Sequence, residues 1–158
     1  MSIVEARLSE LGYELPEAPA AVGAYLPAIR TGNTVVTSGQ LPMQDGGLTC
    51  VGKVGAEVSV EEAQTAARQC ALNCLAQIKA AGVPLQNIAR VFRVEGYVNS
   101  APGFHDQAKV MNGASDFLAD VFGVVGRHTR IAVGASELPL DAAVEVVVWA
   151  EVTDGSFN

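Results

Sequence analysis

The segment Ala142-Ala-Val-Glu-Val-Val-Val-Trp149 is an apolar run with one charged residue, Glu145, near its middle. Its β-branched residues predict a strand, and successive side chains of a strand point to opposite faces of the sheet. Because both faces of this strand are apolar apart from Glu145, both need to be buried. The fold must therefore supply cover on each side of the sheet.

Hydrophobic spacing along the rest of the chain predicts an α+β order of elements. Helices that fall between strands indicate a single mixed sheet with the two long helices on one face. The other face then has no cover within the chain, and we predict that another subunit buries it. The predicted elements are a leading helix capped by Ser2 and Glu5, short strands over 25–30, 34–38, 41–44 and 48–51, a helix from the capping pair Ser59 and Glu62 to Gly82, a strand over 88–99, a helix over 103–122, and strands over 130–136 and 143–153.

Length and composition predict one domain. The 158 residues are 49% hydrophobic and 17% charged. A chain of this length and composition can bury a hydrophobic core that needs no disulfide bond or metal ion for stability. We expect residues 1–158 to form a single domain, with 1–17 as a helix and lead-in and 18–153 as the core. The first residues lack a signal-peptide pattern, and no apolar run approaches the ~20 residues of a membrane span. We therefore expect a cytoplasmic protein with no membrane partner.

The net charge and the cysteine content of the chain argue against binding of nucleic acids and of metal ions. A net charge of -7 opposes binding to phosphate backbones, and no basic stripe is visible, so no nucleic-acid partner is expected. Cys50, Cys70 and Cys74 are expected to be thiols, because their number is odd and the sequence shows no secretion signal. Cys70 and Cys74 lie one helical turn apart, but two further ligands at metal-site spacing are missing. We interpret them as core residues and expect no metal.

Two charged residues mark the last two predicted strands. Arg130 opens the run Ile131-Ala-Val-Gly-Ala135, and Glu145 interrupts the final strand. A desolvated glutamate has a raised pKa, which suits a residue that donates protons or holds water. The planar guanidinium group of an arginine can bind a carboxylate through two parallel N–H···O hydrogen bonds. The alternative for each is an ordinary solvated charge, and these two residues alone leave both interpretations open.

Several motifs occur together along the chain: Ala18-Pro-Ala-Ala-Val-Gly-Ala-Tyr25, Ser38-Gly-Gln-Leu-Pro42, Glu62-Ala-Gln64 with Asn73, Asn112, Thr129-Arg130 with Leu138-Pro139, and Val144-Glu-Val146. Their order and spacing resemble the YjgF family, whose best-known members are the RidA enamine/imine deaminases. The resemblance covers residues 18–152. It implies a chorismate-mutase-like α+β fold and a homotrimer with ligand clefts between subunits. It also implies hydrolysis of enamines and imines such as 2-aminoacrylate to 2-oxo acids and ammonia, without a metal or organic cofactor.

Carried over position by position, the resemblance implies roles for individual residues. Arg130 is expected to bind the substrate carboxylate, and Glu145 is expected to position the attacking water. The residues expected to line the same cleft are Tyr25, Gly39, Asn112 and Ala132. Ala132 stands where RidA often has cysteine, and Ile131 replaces a small hydroxyl residue. With the leading helix, these departures imply a less characterised branch of the family.

Some of these residues also have purely structural interpretations. Tyr25 is alternatively a packed aromatic residue, Gly39 a turn residue, and Asn112 an amide bonded to nearby backbone. Arg127 and His128 either add a second cation and a titrating group at the mouth of the cleft, or they are ordinary loop residues.

The relative position of Arg130 and Glu145 depends on strand register. If the turn before the last strand centres on Pro139, Glu145 pairs with Val133, and Arg130 lies on the opposite face of the sheet. A shift of one residue brings both onto the same face. Alternatively, two different subunits supply them to one cleft.

The leading functional hypothesis is therefore an enamine/imine deaminase that acts on 2-imino acids. One alternative is a non-catalytic trimeric sensor that binds small carboxylates, such as 2-oxo acids, through Arg130. A third is a ribonuclease or translation inhibitor, an activity attached to some relatives, but the acidic charge argues against it.

Overall fold

Helices and strands follow one another in the predicted α+β order along residues 2–154, the part that the computed structural model describes. They are α1 (Ile3–Glu10), β1 (Ala28–Thr31), β2 (Thr34–Thr37), β3 (Met43–Gln44), β4 (Gly47–Leu48), α2 (Val60–Ala80), β5 (Ile88–Asn99), α3 (Gln107–Phe122), β6 (Thr129–Ala135) and β7 (Val144–Val152). No helix in this part of the chain combines the length and apolar character that crossing a membrane requires.

A five-stranded sheet with the order β1-β2-β7-β5-β6 forms the centre of the fold. β5 and β6 run parallel, and the other neighbouring pairs are antiparallel. α2 and α3 contact each other and pack on one face of the sheet, which carries the fully buried Val94, Val98, Val144 and Val148. The predicted mixed sheet with two long helices on one face is therefore confirmed. β3 and β4 form a separate two-stranded ribbon.

α2 begins and ends where the sequence predicts. Ser59 Oγ accepts a bond from the Glu62 N–H at 3.1 Å, and Glu62 Oε2 accepts one from the Ser59 N–H at 3.2 Å, which forms the capping box. The buried side of the helix is rich in alanine and includes the free thiols of Cys70 and Cys74, which lie against β7. The interpretation of these cysteines as core residues is confirmed.

α3 begins four residues later than predicted, at Gln107. Gly103 has a φ of 80°, a left-handed conformation that cannot continue into a right-handed helix. The residues between Gly103 and Gln107 therefore belong to the connection from β5.

β6 and β7 do not pair with each other as a hairpin would require. β5 lies between them, and Tyr97 of β5 pairs with Val133 of β6 on one side and with Glu145 of β7 on the other. The reason is the crossover through α3, which returns the chain to the sheet parallel to β5. β6 then occupies one side of β5 and leaves the other side to β7. The pairing of Glu145 with Val133, one of the registers considered from sequence, is not observed, although both residues lie at the same level of the sheet.

The second face of the sheet carries no helix within residues 2–154. Ile29, Ile131 and Val133 on this face are 50%, 42% and 38% exposed. Near its centre, the Trp149 indole donates a hydrogen bond to Glu95 at 3.3 Å. The uncovered face predicted from the valine pattern is confirmed. Its burial by another subunit stays a prediction.

Gly113 lies where α3 crosses α2, and alanine at this position is expected to destabilise the fold. A Cβ there would lie 2.1 Å from the backbone oxygen of Gln64. We expect Gly113→Ala to lower the free energy of unfolding by roughly 2 kcal/mol, because overpacking by ~3 kcal/mol outweighs a helix-propensity gain of ~1 kcal/mol. Urea unfolding followed by circular dichroism measures the change.

Gly47→Ala is the matched control for Gly113→Ala. A Cβ at Gly47 has no heavy atom within 4 Å, so little change in stability is expected. Equal stability of the two variants would contradict the close helix crossing at Gly113.

Candidate functional site

Arg130 lies on the helix-facing side of β6 and is held by α3. Its Nη1 donates to Asn112 Oδ1 at 2.9 Å and to Ser115 Oγ at 3.1 Å, and its Nη2 donates to the Ala108 carbonyl oxygen at 3.2 Å. These bonds use three of the five N–H groups of the guanidinium. The Nε–H and one Nη2 N–H have no acceptor among the described residues. Such a pair of donors can bind a carboxylate in two-pronged fashion.

The three acceptors that hold Arg130 share one stripe of α3. Ala108, Asn112 and Ser115 stand at i, i+4 and i+7, which places them on the same side of a helix. The structure thus brings the predicted residues Arg130 and Asn112 into contact. Ser115 was missed at the sequence level, and its spacing from Asn112 was the signal that could have found it.

His128 belongs to the same hydrogen-bonded group. It stands two residues before Arg130, and its Nε2 lies 2.8 Å from Ser115 Oγ. Its Nδ1 lies 2.7 Å from the Gly126 carbonyl oxygen. Partial burial, together with the nearby Arg130 charge, lowers the pKa of His128. Arg127, in contrast, has an exposed side chain.

Glu145 lies in β7 beside the loop that contains Gly39. Gln40 and Val146 exchange two backbone hydrogen bonds of 2.8 and 3.0 Å, which hold this loop against β7. A Cβ on Gly39 would lie 2.6 Å from Glu145 Oε2, so the carboxylate can take its observed position only because residue 39 is a glycine. Burial raises the pKa of Glu145. A carboxyl group in this state is suited to exchanging a proton with water.

Arg130 and Glu145 face opposite sides of the same sheet. Arg130 is aligned with Val94 and, across β5, with Val148, and both valines are buried under the helices. Glu145 is aligned with Tyr97 on the uncovered face. The opposite-face arrangement considered from sequence is therefore observed, although β5 and not a direct hairpin produces it. A cleft that contains both residues therefore needs them from two subunits.

The two remaining predicted residues lie apart from one another. Ala132 shares the helix-facing side of β6 with Arg130 and packs against the core. Tyr25 is 46% exposed, in the segment before β1, and its hydroxyl accepts a bond from a nearby backbone N–H at 3.3 Å. No hydrogen bond within residues 2–154 joins Tyr25 to Arg130 or Glu145. Within one chain, two groups form: Arg130 with Asn112 and Ala132, and Glu145 with Gly39.

Two depressions on the surface of the described chain lie away from both groups. One surrounds Cys50 and another surrounds Lys79, and both are open to solvent. Neither includes Arg130 or Glu145.

Comparison with known proteins identifies the family. A family model described as YjgF/chorismate mutase-like, whose description also carries the word endoribonuclease, matches residues 5–152. The chain belongs to this family. The resemblance to YjgF proteins drawn from the sequence motifs is thereby confirmed.

Individual YjgF/chorismate mutase-like relatives have different names. Protein TCP17 of Trypanosoma cruzi is 44% identical over 152 residues, which are 96% of this chain and 95% of that protein. A 2-iminobutanoate/2-iminopropanoate deaminase of Dermatophagoides farinae is 29% identical over 136 residues, 83% of this chain and 88% of its own length. The crystal structure of Atu1372 from Agrobacterium tumefaciens, described as of unknown function, has a TM-score of 0.89 and 45% identity and covers 96% of this chain and 93% of its own.

Proposed function

We propose that the chain is a cytoplasmic enzyme that hydrolyses 2-imino acids, formed from enamines such as 2-aminoacrylate, to 2-oxo acids and ammonia. The observation that carries this proposal is the geometry of Arg130, which α3 holds by three hydrogen bonds while two N–H groups remain for a ligand. Membership of the YjgF family and the deaminase name of the Dermatophagoides farinae relative support it.

The proposed catalytic unit is a homotrimer with one cleft at each boundary between subunits. The uncovered sheet face, with Ile131 and Val133 exposed, is the surface expected to be buried in the assembly. The opposite facing of Arg130 and Glu145 supports a cleft that takes one residue from each of two neighbours. Sedimentation is expected to give three times the mass of one chain, and a monomer would contradict the shared cleft.

Arg130 and Glu145 divide the chemistry between them. Arg130 binds the carboxylate of the 2-imino acid with its two remaining donors and so orients the C=N bond. Glu145 of the neighbouring subunit holds a water against the C=N carbon and takes a proton from it as the C–O bond forms. The proton passes to nitrogen and gives a carbinolamine. Its hydroxyl proton is then transferred to the amino group, the C–N bond breaks as the C=O bond forms, and a 2-oxo acid and ammonia leave. An enamine substrate first takes a proton on carbon to become the imine.

Other residues complete the proposed cleft. Asn112 uses its Oδ1 to accept from Arg130, so its amide N–H groups are what it offers to substrate. Gly39 contributes room for Glu145 and a nearby backbone N–H. Ala132 forms part of the wall, and Tyr25 reaches the cleft from a neighbouring subunit. No organic or metal cofactor is required by these steps.

The assay for this proposal generates 2-aminoacrylate and its longer homologue with a pyridoxal-phosphate dehydratase. Release of 2-oxo acid is then followed with and without the protein. Wild type is expected to accelerate hydrolysis, and Arg130→Ala is expected not to. Equal rates with wild type and with no added protein would contradict the proposed activity.

Gly39→Ala is expected to lower kcat/KM for 2-aminoacrylate by roughly tenfold or more. The added methyl would lie 2.6 Å from Glu145 Oε2, which is too close for ordinary contact, so the carboxylate has to move. Misplacement of a catalytic group by ~1 Å costs on the order of 100-fold. Steady-state kinetics measures the loss. Gly47→Ala is the control, because open space surrounds its added methyl. Equal activity of the two variants would contradict the contact between Gly39 and Glu145.

A second candidate is binding of small carboxylates without catalysis. It is favoured by one observation: the group around Arg130 is complete within one chain, whereas Glu145 lies on the other face of the sheet. Calorimetric binding of 2-oxobutyrate with no release of ammonia from 2-aminoacrylate would support this function over hydrolysis.

A further inference from the structure

A continuous chain of hydrogen bonds connects Arg130 to an imidazole. Gly126 offers a carbonyl oxygen, which only accepts, so Nδ1 of His128 carries the proton of that 2.7 Å bond. In the neutral ring, Nε2 is then an acceptor, and the Ser115 hydroxyl donates to it at 2.8 Å. Ser115 Oγ in turn accepts from Arg130 Nη1 at 3.1 Å. Each group donates to the next from Arg130 to Gly126, and this order requires an uncharged His128.

The charges around His128 are dominated by Arg130. Burial and the Arg130 charge both lower the pKa of His128, and burial is the larger cause. Arg127 beside it is exposed, and Arg90 of β5 donates to the Arg127 carbonyl oxygen. On α3, Asp116 is exposed next to Ser115, and residues 123–126 carry no charge. Neutralising Arg130 therefore changes the electrostatic surroundings of His128.

We propose that Ser115 and His128 extend the anion site of Arg130, so that binding of a substrate carboxylate is coupled to uptake of a proton by His128. This rests on the proposed function, because it takes a carboxylate bound at Arg130 as its starting point. The bound anion offsets the Arg130 charge that opposes protonation of His128. Protonated Nε2 becomes a donor, and the Ser115 hydroxyl then accepts from both His128 and Arg130.

The coupling has a definite sign. Since the bound carboxylate favours protonated His128, protonated His128 favours the bound carboxylate by the same factor. Affinity is thus expected to rise as pH falls through the titration of His128, below its ordinary pKa of 6.5. Coulomb interaction across ~8 Å in a partly solvated site gives a roughly three- to tenfold lower Kd at about pH 5.5 than at about pH 8.

The chain offers a matched pair of variants for the test, because His105 and His128 are its two histidines. His105 is exposed, so His105→Gln is the control for His128→Gln. The Kd of 2-oxobutyrate is measured by calorimetry for wild type and both variants over this pH range, in buffers that differ in ionisation enthalpy. Wild type and His105→Gln are expected to bind more tightly at low pH and to take up protons. His128→Gln is expected to bind with reduced pH dependence and less proton uptake.

Glu145 is a second titrating group in the proposed cleft, because burial raises its pKa above the ordinary 4.5. The Glu145 contribution is common to all three proteins, so the difference between His128→Gln and wild type isolates His128. An independent reading on unmodified protein comes from NMR of the imidazole signals. The His128 midpoint is expected to move to higher pH when 2-oxobutyrate is added.

The outcomes distinguish failure of the proposed proton coupling at His128 from failure of the proposed carboxylate site at Arg130. If 2-oxobutyrate binds in an Arg130-dependent way but the His128 midpoint does not move, the coupling is wrong and the carboxylate site stands. The same holds if His128→Gln keeps the full pH dependence of wild type. If 2-oxobutyrate does not bind wild type at any pH, the carboxylate site itself is wrong, and the coupling falls with it.

Discussion

Arg130→Ala is expected to lower kcat/KM for hydrolysis of 2-aminoacrylate by at least about 100-fold. Two charge-assisted hydrogen bonds to the substrate carboxylate are lost, each worth about 1.5–3 kcal/mol, and a factor of ten corresponds to ~1.4 kcal/mol. Folding should change little, because Asn112 is exposed and Ser115 is partly exposed, so water can replace the guanidinium at both. The coupled assay measures the loss, and circular dichroism checks the fold.

Two further variants show whether activity requires the paired N–H donors of the guanidinium group or only its positive charge. Arg130→Lys keeps the charge but loses the paired donors, so activity is expected to fall by at least ~10-fold. Arg127→Ala removes an exposed cation three positions away and is expected to keep full activity. Similar losses in the Arg127 and Arg130 variants would indicate a general electrostatic effect and remove the proposed role of Arg130.

Glu145→Gln is expected to lower kcat by about 100-fold or more, because an amide cannot take the proton of the attacking water. The side chain keeps its size, so its neighbour Gly39 still fits. Glu151→Gln makes the same change at an exposed position of β7 and is expected to leave kcat unchanged. Full activity of Glu145→Gln would exclude Glu145 from proton transfer.

The same variant is expected to be more stable than wild type above neutral pH. Burial raises the pKa of Glu145 from the ordinary 4.5, so the folded chain binds this proton more tightly than the unfolded chain. Ionisation of Glu145 therefore opposes folding, and its effect on wild type grows as pH rises from about 4.5 through the raised pKa. The Glu145→Gln variant has no carboxyl group to ionise at this position, so it does not lose stability in this way. Thermal unfolding between pH 4.5 and pH 8 should show a smaller decline in Tm for the variant than for wild type or Glu151→Gln.

Mixing the two inactive variants tests the shared cleft directly. If each cleft takes Arg130 from one subunit and Glu145 from its neighbour, random trimers of Arg130→Ala and Glu145→Gln contain intact clefts at about a quarter of positions. Activity near that fraction of wild type is expected after co-expression. No recovery, although the two variants form mixed oligomers, would place both residues in a site built within one chain.

The elements that could be predicted from sequence are those with local signals. Ser59 and Glu62 mark the start of α2 because the capping box joins residues three apart, and Gly82 marks its end. The start of α3 was predicted four residues too early, because the left-handed conformation of Gly103 cannot be read from apolar spacing. Arg130 and Glu145 were identified as unusual because single charges in apolar strands are visible in sequence.

The arrangement of these residues was decided by pairing between distant parts of the chain. Successive side chains of a strand alternate between its two faces, so the sequence shows which residues share a face. The apolar character of both faces of β7 therefore follows from sequence alone. Which strand lies beside β7 depends on the crossover through α3, and β5 took the place that a hairpin would have given to β6.

The sequence by itself determined the order of the helices and strands and the identity of the two charged residues, because these depend on spacings of a few residues. The tertiary structure decided that Arg130 turns to α3 and Glu145 to the loop of Gly39, on opposite faces of the sheet. It also joined Ser115 and His128 to Arg130. These relations depend on strand order and helix packing, which bring together residues that no local pattern connects.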